Sequence, residues 1–351
     1  MITPTTKKAL VFVSAGLGDA ILLVPLVHLL RRQGYWVTGL FTSVFPCEQL
    51  FADSTVFDDL LIARSNPRKA FLALKEYRNY QLAIVNYFAS TRSNLLLAQK
   101  MATMVHTNRI PDKAGRKLVQ GVVYFKPVEG IHDTAQNILL AGKGAFQITP
   151  DLLKIDSRAE TKLTMSLPER FIVLQLSAGN NAIQYKNWAI DNWIRFLTLA
   201  ASRFSGLHFL ILGDAAEKNL AHEVILANTR NVSSLTGMTT VGEAARIISK
   251  SILFAGLDGG LMHLAASKGI PTFTLWGPSN QVLYGYAGID PDMHRVVSLN
   301  LSCSPCSSWI SANTSRYSGP EQCQAKECLS KLGVDQVFGE FSTFVKKHGL
   351  V

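Results

Sequence analysis

The segment ALVFVSAGLGDAILLVPLVHLLRRQ, residues 9–33, joins a strand, a glycine turn and a helix. Ala9–Ser14 is predicted as a buried strand because its residues are almost all apolar. Ser14–Asp19 carries two glycines that allow a tight turn. From about Asp19 to Gln33 the apolar residues recur at helical spacing. A strand that passes through a glycine turn into a helix is the first unit of a parallel α/β sheet.

The alternation of strand and helix continues through both halves of the chain. Further strands are predicted at 37–42, 82–87, 171–176, 207–212, 252–256 and 272–275. Further helices are predicted at 66–77, 93–104, 190–202, 216–228, 241–249 and 260–268. This order predicts an α/β fold with two Rossmann-like, doubly wound domains whose parallel sheets are covered on both faces.

A polar stretch with two prolines, residues 147–170, interrupts the alternation and is the predicted linker. We therefore expect an N-terminal domain over 1–160 and a second domain over 161–330. Residues 331–351 are expected to form a helix that packs back toward the N-terminal domain. The two domains are expected to face each other, with ligands bound in the cleft at the carboxyl ends of their strands.

The composition of the 351 residues is that of a globular protein with a sizeable core. Hydrophobic residues make up 48% and charged residues 17%, which excludes disordered, collagen-like and coiled-coil classes. The net charge of +10 is uneven, since residues 1–126 carry 16 basic and 7 acidic side chains. Such an asymmetry indicates an anionic partner for the first half.

The N-terminus lacks the pattern of a signal peptide. The longest apolar segment, Ala20–Leu30, is interrupted by Pro25 and His28 and is too short to span a bilayer. We expect a soluble, cytoplasmic protein that can still make peripheral contact with a membrane.

The first candidate motif is the turn Gly16-Leu17-Gly18-Asp19. It lacks the third glycine of a dinucleotide fingerprint, and the carboxylate of Asp19 would repel a pyrophosphate. Asp19 is therefore expected either to cap the helix or to act as a general base.

The second candidate motif is LDGGLMHLAA, residues 257–266, which again joins a strand end, a glycine turn and a helix. Its glycines expose backbone N–H groups that suit a phosphate. By itself His263 is more typical of a packed or capping histidine, but beside this turn it is a candidate ligand-binding residue.

The third candidate motif begins with Ser177-Ala178-Gly179 and continues through Lys186 and Trp188. A lysine before an aromatic helix start can hold a phosphate as a point charge. The alternative is a solvated surface lysine.

Together these motifs resemble the heptosyltransferases of glycosyltransferase family 9. The resemblance spans roughly residues 8–340 and rests on the order and spacing of five motifs: Gly16–Asp19, Lys186 with Trp188, Gly237-Met238, Asp258–Ala266 and Trp276-Gly277-Pro278-Ser279. It implies a GT-B architecture and an inverting, metal-independent transfer of heptose from an ADP-sugar. Family members commonly carry Ser or Thr where this chain has Gly259.

The resemblance also implies roles for particular residues. Asp19 would deprotonate the acceptor hydroxyl, and the neighbouring Gly18 would lie on the acceptor side. Lys186 would hold the donor phosphates, and Asp258 would bind sugar hydroxyls. The remaining residues implied to bind the donor are Ser177, Glu217 for the ribose, Met238 for the adenine, and Gly259, Gly260 and His263 for the diphosphate. No metal is needed for this chemistry, because a lysine and helix-end amides stabilise the charge that develops on the leaving group.

Four of the five cysteines cluster near the C-terminus: Cys303, Cys306, Cys323 and Cys328. The first pair has the spacing of a metal knuckle, and the second is looser than most zinc motifs. Some relatives of this family are similar in having a four-cysteine iron site. Structural zinc or iron, reduced thiols and disulfides remain three alternatives, each with a structural role.

The predicted function is transfer of heptose to a lipopolysaccharide inner core or a related glycan. The alternatives are a nucleotide-sugar epimerase or hydrolase, and a sugar-nucleotide-binding protein without catalysis. No nucleic-acid-binding motif accompanies the basic residues. Arg109, Lys113, Arg116 and Lys117 form their densest stretch, which we expect to attract an anionic, lipid-linked acceptor at the cytoplasmic face of the inner membrane; the alternative is a solvated loop.

Overall fold

A computed structural model describes most of the chain: residues 6–14, 16–64, 79–111, 121–142, 147–156, 163, 165–178, 186–228, 231–306, 323 and 326–350. The chain divides into two compact units, Met1–Glu160 and Thr161–Val351. Each unit contains one six-stranded sheet. The two units are taken in turn below.

The sheet of the first unit is parallel and has the strand order β3-β2-β1-β4-β5-β6. Its strands are β1 (Lys7–Val13), β2 (Tyr35–Phe41), β3 (Asp59–Ile62), β4 (Tyr80–Val85), β5 (Ala102–Thr107) and β6 (Val122–Tyr124). The described helices are α1 (Leu17–Ile21), α2 (Val24–Arg32), α3 (Glu48–Ala52), α4 (Arg92–Met101), α5 (Asp133–Leu139) and α6 (Pro150–Leu153).

The sheet of the second unit is also parallel and has the strand order β12-β11-β10-β7-β8-β9. Starting from β9, this is the same order as in the first sheet. Its strands are β7 (Phe171–Leu174), β8 (His208–Ile211), β9 (Val232–Ser234), β10 (Leu253–Leu257), β11 (Thr272–Leu275) and β12 (His294–Val297). The described helices are α7 (Ile190–Arg203), a 3₁₀ helix (Ala215–Glu217), α8 (Lys218–Ala227), α9 (Val241–Lys250), α10 (Gly260–Ser267), α11 (Gln281–Tyr284), α12 (Glu327–Ser330) and α13 (Val334–Lys347).

The predicted fold class, two doubly wound parallel-sheet domains, is confirmed. The prediction of one helix from about Asp19 to Gln33 was wrong in one respect, because this segment is divided into α1 and α2 at Leu22–Leu23. Pro25 lies in the first turn of α2, where its missing N–H is tolerated, and it could not continue a helix from α1. The predicted helix 66–77 lies outside the described residues.

The C-terminal helix α13 completes the hydrophobic core of the second unit. Phe341 is fully buried, and its ring lies 5.1 Å from the ring of Phe196 on α7 and 5.3 Å from that of Phe273 on β11. Trp188 donates from its indole N–H to the Leu332 carbonyl at 2.9 Å. These contacts lie within the second unit, and burial of the aromatic face stabilises them. The expected packing of residues 331–351 toward the N-terminal domain stays a prediction.

Among the described helices, none has the length and apolar character required to cross a bilayer.

Candidate functional site

The candidate motifs lie where the strand order of each sheet reverses. The reversal falls between β1 and β4 in the first sheet and between β7 and β10 in the second. Loops leave the two adjacent strands in opposite directions at such a point, so a crevice opens at the carboxyl ends of the strands. Asp19 follows β1, and Asp258 directly follows β10. The structure therefore places both motifs at positions where doubly wound sheets bind ligands.

Asp19 lies in the five-residue helix α1 and is half-buried. The backbone N–H of Gly16 donates to its Oδ2 at 3.1 Å. This is a helix-capping contact, as one of the two interpretations of the sequence predicted. A negative charge in the first turn is also favoured by the helix dipole. Gly18 lies within the same helix, and its carbonyl accepts from the Leu22 N–H at 2.9 Å.

A second carboxyl group, that of Asp133, interacts with Asp19. Asp133 is the first residue of α5 and is only 2% exposed. Burial raises its pKa, and the negative charge of Asp19 raises it further, to about 7, although a hydrogen bond from Asn137 opposes the shift. The Asn137 amide donates to Asp133 Oδ2 at 3.3 Å and to the Leu22 carbonyl at 3.2 Å. Near neutral pH, one carboxyl of this pair can thus keep its proton while the other is ionised.

Sequence reasoning missed Asp133. The pair His132-Asp133 forms no spaced motif, and an aspartate at a helix start is usually explained by capping. Only the packing of α5 reveals that this carboxyl is buried and coupled to Asp19.

The second site is built around a buried ion pair. Lys186 Nζ lies 2.6 Å from Asp258 Oδ2, and each side chain is 9% exposed. Burial alone would raise the pKa of Asp258, but the charge and hydrogen bond of Lys186 hold it below its ordinary value. An ammonium group has three donors, so this pair occupies only one of them with Asp258. The arrangement fixes a cation at the carboxyl end of β10.

Helix α10 begins directly after this ion pair. Its N-cap, Gly259, has an extended backbone and provides no side-chain cap. The unsatisfied N–H groups and the helix dipole at such a start favour an anion. Lys186 is thus held by Asp258, which directly precedes the uncapped helix start at Gly259–Gly260.

His263 is buried one turn into α10 and is bound to Tyr286. Its Nδ1 lies 2.9 Å from the Tyr286 hydroxyl. Burial lowers the pKa of His263 to about 4, with Asp258 opposing and Lys186 reinforcing the shift. The ring is therefore neutral at pH 7 and adds no positive charge to the helix start.

The remaining donor-side candidates lie along the same edge of the second sheet. Ser177 follows β7 and is buried. Glu217 is buried after β8 and packs against Gly213, where a Cβ would overlap its carboxylate. Met238 follows β9 and is 64% exposed. Gly237, with φ of +67°, positions this turn by donating to the Gly213 carbonyl at 2.9 Å.

Comparison with known proteins agrees with this geometry. The profile of glycosyltransferase family 9 (heptosyltransferase) matches residues 142–315, which contain the whole Lys186–Asp258–His263 site. Residues 142–315 thus form a glycosyltransferase family 9 domain. No curated protein sequence matches the chain significantly.

Solved structures of heptosyltransferases share the fold of this glycosyltransferase over nearly its whole length. ADP-heptose lps heptosyltransferase II of E. coli is 16% identical with a TM-score of 0.70, and the match covers 97% of this chain and 99% of that one. E. coli heptosyltransferase WaaC with ADP is 15% identical with a TM-score of 0.65, and the match covers 98% and 100%. At this identity the likeness establishes the GT-B fold and leaves residue roles to be argued from the chain itself.

On the first unit of the glycosyltransferase, Arg109 is exposed beyond the carboxyl end of β5. Its guanidinium lies 4.6 Å from the centroid of the Tyr87 ring, a cation–π contact. Ser90 Oγ donates to the Arg109 carbonyl at 2.6 Å and fixes the backbone there. Lys113, Arg116 and Lys117 lie outside the described residues.

The four C-terminal cysteines carry free thiols and form no disulfide in the structure. Burial raises the pKa of Cys328 to about 11, and Cys306, Cys323 and Cys303 contribute further, so the four lie within electrostatic reach of one another. No group of three or more potential ligands among the described residues has a metal-binding arrangement. The donor set as placed does not fit a metal. An E. coli relative by fold, TibC, is described as an iron-containing dodecameric glycosyltransferase (12% identity, TM-score 0.58, covering 99% of this chain and 77% of that one).

Proposed function

We propose that this enzyme transfers heptose from ADP-heptose to an anionic, lipid-linked glycan such as a lipopolysaccharide inner core. The observation that supports this most directly is the buried Lys186–Asp258 pair at the uncapped start of α10. A fixed cation beside free N–H groups suits a diphosphate. The match to glycosyltransferase family 9 supports a nucleotide-sugar as the bound group, and the names of the solved heptosyltransferases support heptose as its sugar.

The proposed reaction needs stabilisation of a leaving diphosphate and removal of one proton. As the bond between the anomeric carbon and the diphosphate oxygen breaks, negative charge grows on the departing ADP. Lys186 and the N–H groups at the start of α10 stabilise that charge without a metal. Asp258 holds the lysine in position and is itself available to sugar hydroxyls.

Asp19 is the proposed general base. Its carboxylate takes the proton of the acceptor hydroxyl as the oxygen attacks the anomeric carbon from the face opposite the ADP. A single in-line displacement inverts the anomeric centre, so the scheme requires no nucleophilic carboxylate. The uncharged, buried Asp133 beside Asp19 is not needed as a second base in this scheme.

The proposed acceptor is anionic because the first part of the chain carries an excess of positive charge. Residues 1–126 carry 16 of the 35 basic side chains and only 7 of the 25 acidic ones. Arg109 presents an exposed guanidinium in this half. A phosphorylated, lipid-linked acceptor at the cytoplasmic face of the inner membrane matches that excess of positive charge.

The test is a transfer assay with purified enzyme, ADP-heptose and a panel of phosphorylated and dephosphorylated core glycans. We expect acceptor-dependent release of ADP, an inverted anomeric configuration by NMR, and an unchanged rate after treatment with EDTA. Transfer from another nucleotide-sugar but not from ADP-heptose would contradict the donor assignment. Release of ADP without an acceptor would identify a hydrolase, and binding without turnover would identify a non-catalytic binding protein.

A further inference from the structure

A glutamine that no motif singles out, Gln175, lies over the glycines of the donor site. It directly follows β7, and its backbone N–H donates to the Ala255 carbonyl of β10 at 2.9 Å. This backbone contact continues the pairing of β7 with β10, the two strands that flank the reversal of the second sheet. Only 5% of Gln175 is exposed.

Two glycines leave the space that Gln175 occupies. A Cβ on Gly256 would lie 2.8 Å from Gln175 Cβ, and a Cβ on Gly259 would lie 2.9 Å from its Nε2 and 3.2 Å from its Oε1. These separations are shorter than ordinary van der Waals contacts. The carboxamide thus stands directly over the N-cap of α10, where related enzymes commonly carry a hydroxyl-bearing residue.

Within the described part of the chain, one atom of this carboxamide lacks a hydrogen-bond partner. Oε1 of Gln175 is buried and has no hydrogen-bond partner among the residues that the structure describes. A buried acceptor without a partner is destabilising and rare in native proteins, which indicates a role outside folding. The missing partner must be a hydrogen-bond donor, and this excludes a phosphate oxygen.

The surroundings limit which ligand can supply that donor. Lys186 is bound to Asp258, which directly precedes the glycine turn, and the uncapped N–H groups of α10 follow that turn. These groups attract an anion, whereas Oε1 needs a neutral hydroxyl or N–H. A sugar diphosphate presents both within a few bonds of each other.

We propose that Gln175 Oε1 accepts a hydrogen bond from a hydroxyl of the donor sugar and so makes the site prefer the sugar-nucleotide over the free nucleotide. This inference rests on the proposed function, because it presupposes an ADP-sugar at α10. Gln175 is a binding and specificity residue, and the proton transferred in the reaction does not pass through it. Gly259 is then the partner that makes room for the glutamine.

The test compares the affinities of ADP and ADP-heptose by calorimetry in the absence of acceptor. Gln175→Met keeps the length of the side chain and removes both polar atoms. We expect ADP to bind as it does to the unchanged enzyme, and ADP-heptose to bind about 5- to 15-fold more weakly, the loss of one neutral hydrogen bond. The thermal midpoint of Gln175→Met is expected to be no lower than that of the unchanged enzyme, since the substitution removes an unpartnered buried acceptor.

Gly259→Ser is the matched partner variant. Its new Cβ would displace the carboxamide, so we expect the affinity for ADP-heptose to fall by a larger factor than the affinity for ADP. In the double variant Gln175→Ala with Gly259→Ser the space is free for the serine, whose hydroxyl can replace the glutamine, and we expect part of the ADP-heptose affinity to return.

The outcomes separate this inference from the proposed function. Equal losses of ADP and ADP-heptose affinity in Gln175→Met would mean a structural role and would overturn the inference. Unchanged affinities for both ligands would overturn it as well. An unchanged enzyme that binds ADP but not ADP-heptose would refute the donor assignment itself, and the inference would fall with it.

Discussion

The two sheets have the same strand order, yet the residues at their reversal points differ in charge and in chemistry. At the first reversal point lies Asp19, whose carboxylate interacts with the buried carboxyl group of Asp133. The second carries the Lys186–Asp258 ion pair and an uncapped helix start. On the proposed function, one scaffold handles a proton at the first sheet and an anion at the second, because the residues that follow the strands differ.

The largest effect expected from this comparison is on catalysis at the first sheet. Asp19→Asn removes the proposed base and is expected to lower kcat about 10³-fold, since general base catalysis contributes on the order of 10²–10⁴-fold. The affinity for ADP should stay unchanged, because the proposed ADP site lies at the second sheet. Steady-state kinetics and calorimetry measure the two quantities.

The control for Asp19 is Asp53→Asn, which alters an exposed aspartate of the same unit. It should leave kcat within twofold. Equal transfer rates in Asp19→Asn and the unchanged enzyme would mean that Asp19 serves only as a helix cap.

The second prediction separates stability from binding at the second sheet. Lys186→Met leaves the charge of Asp258 buried without its partner and should lower the free energy of unfolding by about 3 kcal/mol. The affinity for ADP should fall about 10- to 100-fold, because a charge-assisted hydrogen bond is lost. Urea denaturation and calorimetry provide the measurements.

A double variant distinguishes the two losses. Lys186→Met with Asp258→Asn removes both charges and is expected to regain most of the stability without regaining ADP affinity. Lys250→Met, at an exposed lysine of the same unit, is the control and should change neither. Recovery of ADP binding in the double variant would contradict a direct role for Lys186.

The third prediction concerns the pH dependence of stability in the first unit. The pKa of Asp133 is about 7 in the folded protein against 3.8 for an ordinary aspartate. The folded state therefore holds this proton more tightly than the unfolded chain, and stability falls as the pH rises from about 4 to about 7. Asp133→Asn should remove this loss and raise the free energy of unfolding at pH 8 by roughly 4 kcal/mol relative to its effect at pH 4.

Denaturation curves of both proteins at several pH values test this assignment. Parallel pH profiles of the unchanged enzyme and Asp133→Asn would show that Asp133 does not hold the proton.

The smallest expected effect concerns the basic half. Neutralising Arg109 together with Lys113, Arg116 and Lys117 should raise the KM for an anionic acceptor about 3- to 10-fold and leave the donor KM unchanged, with a smaller difference at high salt. Arg92→Ala, at an exposed arginine of the same unit, serves as the control. A change in the donor KM alone would mean that the basic stretch acts on donor binding, which would contradict its proposed role in acceptor binding.

The sequence predicted the fold class well because buried parallel strands are continuous apolar runs. It failed at β3, β6, β9 and β12, which have only three or four residues and lie at or next to the sheet edges, where apolar runs are short. It also extended a helix through Met104, although α4 ends at Met101 and β5 begins at once. No turn residue marks that junction.

The candidate site was predictable wherever glycines and charges stand in a spaced motif. The sequence singled out Lys186 and Asp258 in separate motifs but did not predict their ion pair, because the two residues follow different strands of one sheet. Gln175 and Asp133 escaped notice because their significance lies in burial and in missing or coupled partners. Such properties depend on which side chains the fold brings together, and a single sequence does not display them.

The position of α13 has a consequence for biosynthesis. The helix supplies Phe341 to the middle of the second core, so that core stays open until Val334–Lys347 has been translated. The first unit, by contrast, contains all of its sheet strands by Tyr124 and can fold while the rest of the chain is still on the ribosome. During translation, the first unit can therefore be folded while the second is still incomplete. A chain that lacks the last turns of α13 is expected to aggregate through its second unit.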